Sequence, residues 1–463
     1  MSTATPISEA ATGLRQLAAD VVDRALRAGA AEAEVVIREG DEFSALVRMG
    51  EVETLKESGA RGIGVRVFLG SAGAYRTANT STSDFSEAGL THLVSGALDL
   101  AKVTSVDPFA GLPEAGEMGQ LTEDLKLYYE DVYGLPAAER IEYARRAEAA
   151  ALSADPRLTR SDGGSFDVAT GHKIMVNSRG FSGEYRRSYC SLSAMPIAET
   201  EKGGMQRDYW YSSARTLKEL DSPENIGAEA ARRTLRRLDA RRVPTQRVPV
   251  VFAPEIARSL VGSMFEAANG DSIYRGASFW TGKLGQQVAS ENVTVIDDGT
   301  LTGLFGTSPF DGEGLPTRRT VVIEKGVLKN YLLNTYTARK LKMKSTGNAA
   351  RGLAGTPGIG GGNLFLEAGE LTPQQLLADV KSGFYVTELM GQGVNMVTGD
   401  YSRGAAGLWI ENGELTYAVE EITIAGNLKD MLHNVTAIAN DLEFRGSVTA
   451  PTLRIDGMTI AGE

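Results

Sequence analysis

The stretch that most restricts the fold runs over residues 248–272, VPVVFAPEIARSLVGSMFEAANGDS. It opens with a β-branched and aromatic run, Val248 to Phe252, which reads as a buried strand. Pro254 stands where a first helical residue would be, and Glu255 lies beside the positive end of the helix dipole. Ile256, Leu260, Met264 and Ala268 follow at four-residue spacing with Val261 and Phe265 alongside, so one face of the helix is apolar. Asn269-Gly270 ends the segment as a helix C-terminus should. A strand therefore feeds a buried helix, and the helix's polar face carries no metal ligand.

A chain of 463 residues is too long for one ordinary core, which predicts two or three domains. Hydrophobic content of 42% with 23% charged residues is the balance of a soluble globular protein. The formal charge of −11 argues against a nucleic-acid partner, because a phosphate backbone needs a basic stripe. One cysteine, Cys190, excludes an internal disulfide and suits a reducing cytoplasm. The first residues, MSTATPISEAATGLRQ, have neither a basic start nor an apolar core of an export signal. No run approaches the roughly 20 apolar residues needed to cross a bilayer. The expectation is a cytoplasmic protein with no membrane segment.

In chain order, 8–28 is an amphipathic helix with Leu14, Leu17, Ala18, Val21, Val22 and Leu26 on one stripe. Short alternating segments follow at 32–39, 43–49, 51–57, 62–70 and 72–77, with Gly40-Asp41 and Met49-Gly50 read as hairpin turns. A second helix covers about 85–102, completing an α+β region. After a Pro/Gly-rich loop at 104–120, 136–154 is helical, and strands are predicted at 159–170, 172–178 and 182–195. An aromatic strand (208–212) and a helix (228–238) lead to Arg241-Arg242-Val243-Pro244, read as a solvated boundary. The remainder is β-rich, with hairpins around Lys325-Gly326 and Asn412-Gly413, a capped helix at 372–380, and closing strands at 453–455 and 458–460. The domains expected are 1–118, 119–242 and 243–463. The fold class is α+β: N-terminal and middle α+β regions with antiparallel sheets, and a larger β-rich C-terminal domain.

The helix block, together with QQVASENVTVIDDGTL (286–301), FDGEGLPTRRTVVIEKGVL (310–328), STGNAARG (345–352) and PTLRIDGMTIAG (451–462), resembles the TldD/PmbA family over nearly the whole chain. TldD-type members carry a His-Glu-x-x-x-His motif on this helix. Its functional positions fall here at Gly262, Ser263 and Ala267, which offer neither zinc ligand nor general base. The resemblance also implies a cysteine ligand just ahead of the Pro-Thr-Leu block, and NDLEFRGSVTAPTL (440–453) has none. The chain is thus similar to the PmbA (TldE) branch that lacks the metal motif. The motif's two histidine positions lie about 140° apart on a straight helix, so in active members a helix end or bulge must bring the rings together. Small residues at Gly262 and Ala267 either fill space once given to rings or mark close backbone packing.

Other chemistry is sparse. The three histidines, His92, His172 and His433, lie in separate regions, and each reads as an ordinary surface or core residue; His172 is placed at the start of a strand. Glu266, the acid nearest the helix centre, has nothing to activate and reads as a structural carboxylate such as a salt-bridge partner. The run GLAGTPGIGGGN (352–363) lacks the Gly-Lys-Ser/Thr ending of a phosphate loop and reads as a mobile loop. With Thr346-Gly347-Asn348 ahead of it, two readings stand: a flexible surface loop, or a peptide-facing element using Thr346, Gly347, Asn348, Arg351, Gly362 and Asn363. No Gly-x-Ser-x-Gly elbow is present.

What the resemblance implies is a non-catalytic subunit of a TldD–TldE heteromeric zinc metallopeptidase that cleaves small unfolded peptides, including leader peptides of modified peptides. Catalytic and metal residues are expected to be absent from this chain, with zinc held by the TldD-type partner. The competing reading is a homodimeric peptide-binding protein that has no TldD partner and does not cut.

Overall fold

The computed structural model describes residues 7–201 and 203–462. In chain order the first elements are α1 (Ile7–Arg27), β1 (Glu32–Arg48), β2 (Glu51–Leu69), β3 (Arg76–Thr82) and α2 (Glu87–Val103). Next come α3 (Asp131–Gly134), α4 (Ala137–Ser153), β4 (Leu158–Asn177), β5 (Ser182–Glu199), β6 (Met205–Arg207), β7 (Trp210–Ala214) and α5 (Pro223–Leu235). The strands form one antiparallel sheet in the order β3-β2-β1-β4-β5-β6, with β7 also on β5. Because β1 pairs with β4, the first two sequence regions share a single sheet.

The period of two along β1 sorts its side chains between layers. Val35 and Ile37 meet α1 and α2 through Val21, Val22, Leu93 and Val94. Phe43, Ala45 and Val47, on the same face further along, meet α4 and α5 through Ala144, Ala147, Ile226 and Ala230. On the opposite face Glu34 and Val36 turn toward the C-terminal domain, Val36 packing with Phe310 and Glu34 pairing with Arg351.

Three expected strand breaks are absent from this sheet. Gly40-Asp41 is not a turn: Gly40 pairs with Ala60 inside one continuous strand. The glycine is there because a Cβ would lie 2.2 Å from Thr170 O on β4. In the same way 51–70 contains one strand, β2, and 159–178 one strand, β4, with Gly171 inside it. His172 consequently lies within β4 rather than at a strand start. The Met49-Gly50 turn is present, both residues having positive φ (51° and 81°).

The C-terminal domain begins with β8 (Gln246–Phe252), α6 (Pro254–Ala268) and α7 (Gly270–Tyr274). It continues with β9 (Val295–Asp298), β10 (Arg319–Glu324), β11 (Val327–Leu328), α8 (Thr335–Leu341), β12 (Ala349–Ala350), β13 (Gly358–Ile359), β14 (Asn363–Leu366) and α9 (Pro373–Leu377). It closes with β15 (Ser382–Met390), β16 (Asp400–Glu411), β17 (Glu414–Asn427), α10 (Leu428–His433), β18 (Val435–Ile438), β19 (Val448–Thr449) and β20 (Leu453–Ala461). The last of these is one strand where two were expected. Strands β17-β16-β15-β8-β20 close into a ring because β20 also pairs with β17. A second sheet runs β11-β10-β9-β14-β19. Helix α6 packs on β14, β15 and β19, burying Leu260, Val261 and Met264. Both expected hairpins form, with Lys325-Gly326 and Asn412-Gly413 at positive φ. Thr372 and Gln375 make a capping box on α9.

The domains are joined where residues 351–354 lie against β2. Gly62 and Gly64 leave room for Leu353, and a Cβ on Gly64 would lie 1.9 Å from Leu353 O. We predict that Gly64→Ala destabilises the protein by about 1–3 kcal/mol, as overpacking against backbone does. Urea unfolding compared with wild type measures this, and an unchanged midpoint would show that the joint is not closely packed.

Candidate functional site

Helix α6 starts at Pro254, and Glu255 in its first turn pairs with Arg233 at 3.3 Å. Asn269 ends α6 and starts α7, its side chain accepting from Asp271 N at 3.0 Å. Strand β19, just ahead of Pro451, lies against α6, so the segment expected to bear a distal ligand does come to the helix. A Cβ on Gly361 would sit 3.7 Å from Phe265, which places the glycine-rich run there too. Distant sequence blocks therefore converge on one helix.

The side chains at that convergence carry no metal chemistry. Gly262 is half-buried, and a Cβ there would meet nothing within 4 Å, so close packing does not explain the glycine. Ser263 Oγ donates to Ser259 O at 3.0 Å. Ala267 is fully buried, and its carbonyl accepts from Ser278 Oγ at 2.7 Å. Zinc needs imidazole, thiolate or carboxylate; these positions and Val448, Thr449 and Ala450 supply none, so the residues present do not fit a zinc ion. Among the described residues no group of three or more His, Cys, Asp or Glu could hold a metal. Glu266 is exposed and, contrary to the salt-bridge reading, belongs to no ion pair among the described residues.

The histidines remain apart. His92 is on α2, its Nδ1 2.8 Å from Ala88 O, and His433 is exposed at the end of α10. His172 is buried in β4, with Nδ1 3.1 Å from Glu39 Oε1 and Nε2 3.5 Å from Glu184 Oε2.

Residues 345–363 are held at several points by side chains from elsewhere in the chain. Thr346 Oγ1 donates to Asn348 Oδ1 at 2.6 Å, and Gly347 takes φ 74° between them. Asn348 Nδ2 donates to Asp297 Oδ2 at 2.6 Å, and Gly362 N donates to the other Asp297 oxygen at 2.7 Å. Asn363 is fully buried, donating to Asp298 O (2.8 Å) and Thr307 Oγ1 (2.9 Å) and accepting from Gly306 N (2.8 Å). Arg351 is buried in an ion pair with Glu34. The glycines serve close backbone approach: a Cβ on Gly362 would lie 2.8 Å from Gly299.

Buried acids organise this region, and composition and spacing did not single them out. Asp311 accepts from Glu313 N (2.8 Å), Leu315 N (3.0 Å) and Ala349 N (3.0 Å). Glu313 accepts from Thr335 N at 2.8 Å. Burial pushes the Asp297 carboxyl up to about 6. Burial and the neighbouring Asp311 push Glu313 up to about 7. The signal was the pattern Asp-Asp-Gly and Asp-Gly-Glu-Gly, acids beside glycines in apolar surroundings, which turn chemistry alone also explains.

The chain is similar to known proteins along most of its length. Residues 33–101, 130–238 and 245–462 match domain 1, the central domain and the C-terminal domain of the PmbA/TldA metallopeptidases. Metalloprotease PmbA of Escherichia coli O157:H7 is 41% identical over 436 residues, covering 93% of this chain and 92% of that protein. A Bacteroides thetaiotaomicron structure, described as a candidate modulator of DNA gyrase, superposes with TM-score 0.87 at 29% identity, covering 97% and 99% of the two chains. The structure of TldE from Thermococcus kodakarensis shares the fold, with TM-score 0.83 at 20% identity over 96% and 100%.

The raised carboxyl of Glu313 has a consequence for stability. The folded protein holds this proton more tightly than the unfolded chain does, so its contribution is complete at acidic pH. That contribution is lost as pH rises through about 7. We predict that Glu313→Gln, which keeps an acceptor for Thr335 N, loses less stability than wild type between about pH 5 and pH 8. Denaturant titrations at the two pH values test this; parallel curves for the two proteins would remove Glu313 from the account.

Proposed function

The chain belongs to the PmbA/TldD metallopeptidase family as a PmbA-type member, and from that premise we propose that it is the non-catalytic subunit of a TldD–TldE heteromeric zinc peptidase. The substrates are small unfolded peptides, including leader peptides of modified peptides, cleaved in the cytoplasm. The observation that carries this reading is the retained frame around α6, where Gly262, Ser263 and Ala267 stand in place of ligands and base. Zinc and the catalytic base belong to the TldD-type partner. This chain contributes a wall against which an extended peptide lies near 345–363, held through backbone hydrogen bonds that tolerate many sequences.

We predict that the purified chain contains far less than one zinc per molecule and cleaves no peptide alone. Mixing with a TldD-type subunit should raise turnover at least tenfold over that subunit alone and make it chelator-sensitive. Elemental analysis and a peptide-cleavage assay on each protein and on the mixture are the measurements. Full activity from the TldD-type protein alone, or chelator-resistant cleavage by this chain alone, would overturn the proposal. A homodimer that binds peptide and ignores the added subunit would favour the competing reading.

A further inference from the structure

Between β2–β3 and the C-terminal domain lies a cavity of about 420 Å³, inside the 300–1,000 Å³ range typical of small-ligand sites. Its inner end holds Arg66, only 6% exposed. Arg66 Nε approaches Glu34 Oε1, the same oxygen that takes Arg351 Nη1, while Arg66 Nη2 has no hydrogen-bond partner. Two buried guanidiniums thus share one carboxylate, which leaves a positive charge unmatched. The other acid at this end is Glu313, which burial and Asp311 hold up to about 7. At neutral or mildly acidic pH it does not fully cancel Arg66. A buried charge without a full partner is costly, and the guanidinium that lines this end of the cavity attracts a carboxylate.

The rest of the cavity is built for an apolar body. Phe68 lies under the Arg66 guanidinium, 4.9 Å from ring centroid to Cζ, and Ile359 and Phe109 add to the walls. Toward solvent the lining carries Asp107 and the half-exposed Asp271, the latter paired with Arg275 at 2.9 Å, acids that disfavour a carboxylate left at the mouth.

We propose that this cavity binds the C-terminal end of a short apolar peptide, its free α-carboxylate on Arg66 and its last side chain against Phe68 and Ile359. The volume accommodates on the order of two or three residues. The carboxylate chemistry stands on the cavity alone; that the carboxylate belongs to a peptide rests on the reading of the chain as a peptidase subunit.

The test is calorimetric titration of the isolated, zinc-free chain with three probes: an apolar tripeptide with a free C-terminus, its C-terminal amide, and phenylpropionate. The expected result is that the free acid binds at least tenfold more tightly than the amide and more tightly than phenylpropionate. Arg66→Gln should lose at least tenfold for the acid and little for the amide. Since that variant also disturbs Glu34, a second one, Gly358→Leu, fills the cavity from its rim. A Cβ at Gly358 would meet nothing nearer than 3.9 Å, so a side chain has room to start there, and the thermal midpoint of the variant checks that it folds. It too should lose binding at least tenfold. Equal affinity for acid and amide, or full binding by Gly358→Leu, overturns the site. Phenylpropionate binding as tightly as the peptide overturns the peptide assignment. No outcome depends on a partner subunit, so failure here is distinguishable from failure of the mixed-complex reading.

Discussion

Glu34 sits fully buried between two guanidiniums, Arg66 from the adjacent strand and Arg351 from the C-terminal domain. Such a group is expensive to desolvate, and its geometry is therefore demanding: losing one partner of a buried pair typically costs about 3–5 kcal/mol. It also sets how the domains meet. Glu34 is on the face of β1 opposite Val35 and Ile37, so pairing it with Arg351 fixes which face of the sheet the C-terminal domain covers. The glycines at 62 and 64 and the close approach of Leu353 belong to the same joint. So does the cavity beside Arg66, since the sheet and the 356–359 segment are its opposite walls.

Around α6 the molecule separates scaffold from chemistry. The apolar face formed by Leu260, Val261 and Met264 is what the ring of strands and β19 pack against, and it places positions 262, 263 and 267 without depending on what they are. Open space beside Gly262 shows that the helix does not need a small residue there for packing. The side chains at these positions can therefore vary while the fold stays intact, as expected when function is a set of side chains grafted on a frame.

The buried acids serve the same frame. Asp297, Asp298, Asp311 and Glu313 gather backbone N–H groups and amide side chains from turns rich in glycine, satisfying donors that the interior would otherwise leave unpaired. The residues singled out from 345–363, among them Asn348, Arg351 and Asn363, have their polar atoms turned inward to these acids and to Glu34.

Much of this was local and therefore legible in the sequence. The entry of α6 at Pro254, the Asn-Gly and Lys-Gly hairpins, the Met49-Gly50 turn and the capping box at Thr372 are decided by residues next to one another. That Gly262, Ser263 and Ala267 carry no imidazole, thiolate or carboxylate was equally readable, because it is a matter of residue identity alone. What adjacency does not encode was decided by tertiary structure. Gly40 looked like a turn because the residue that needs its missing side chain, Thr170, is on another strand. The hold on the run 352–363 was not legible because its anchors, Asp297, Asp298 and Asn334, come from far along the chain. A glycine permits both a loose loop and a close contact, and an acid both a turn and a buried hub. Only the partner brought across the fold settles which, because burial and hydrogen bonding belong to the pair rather than to the residue.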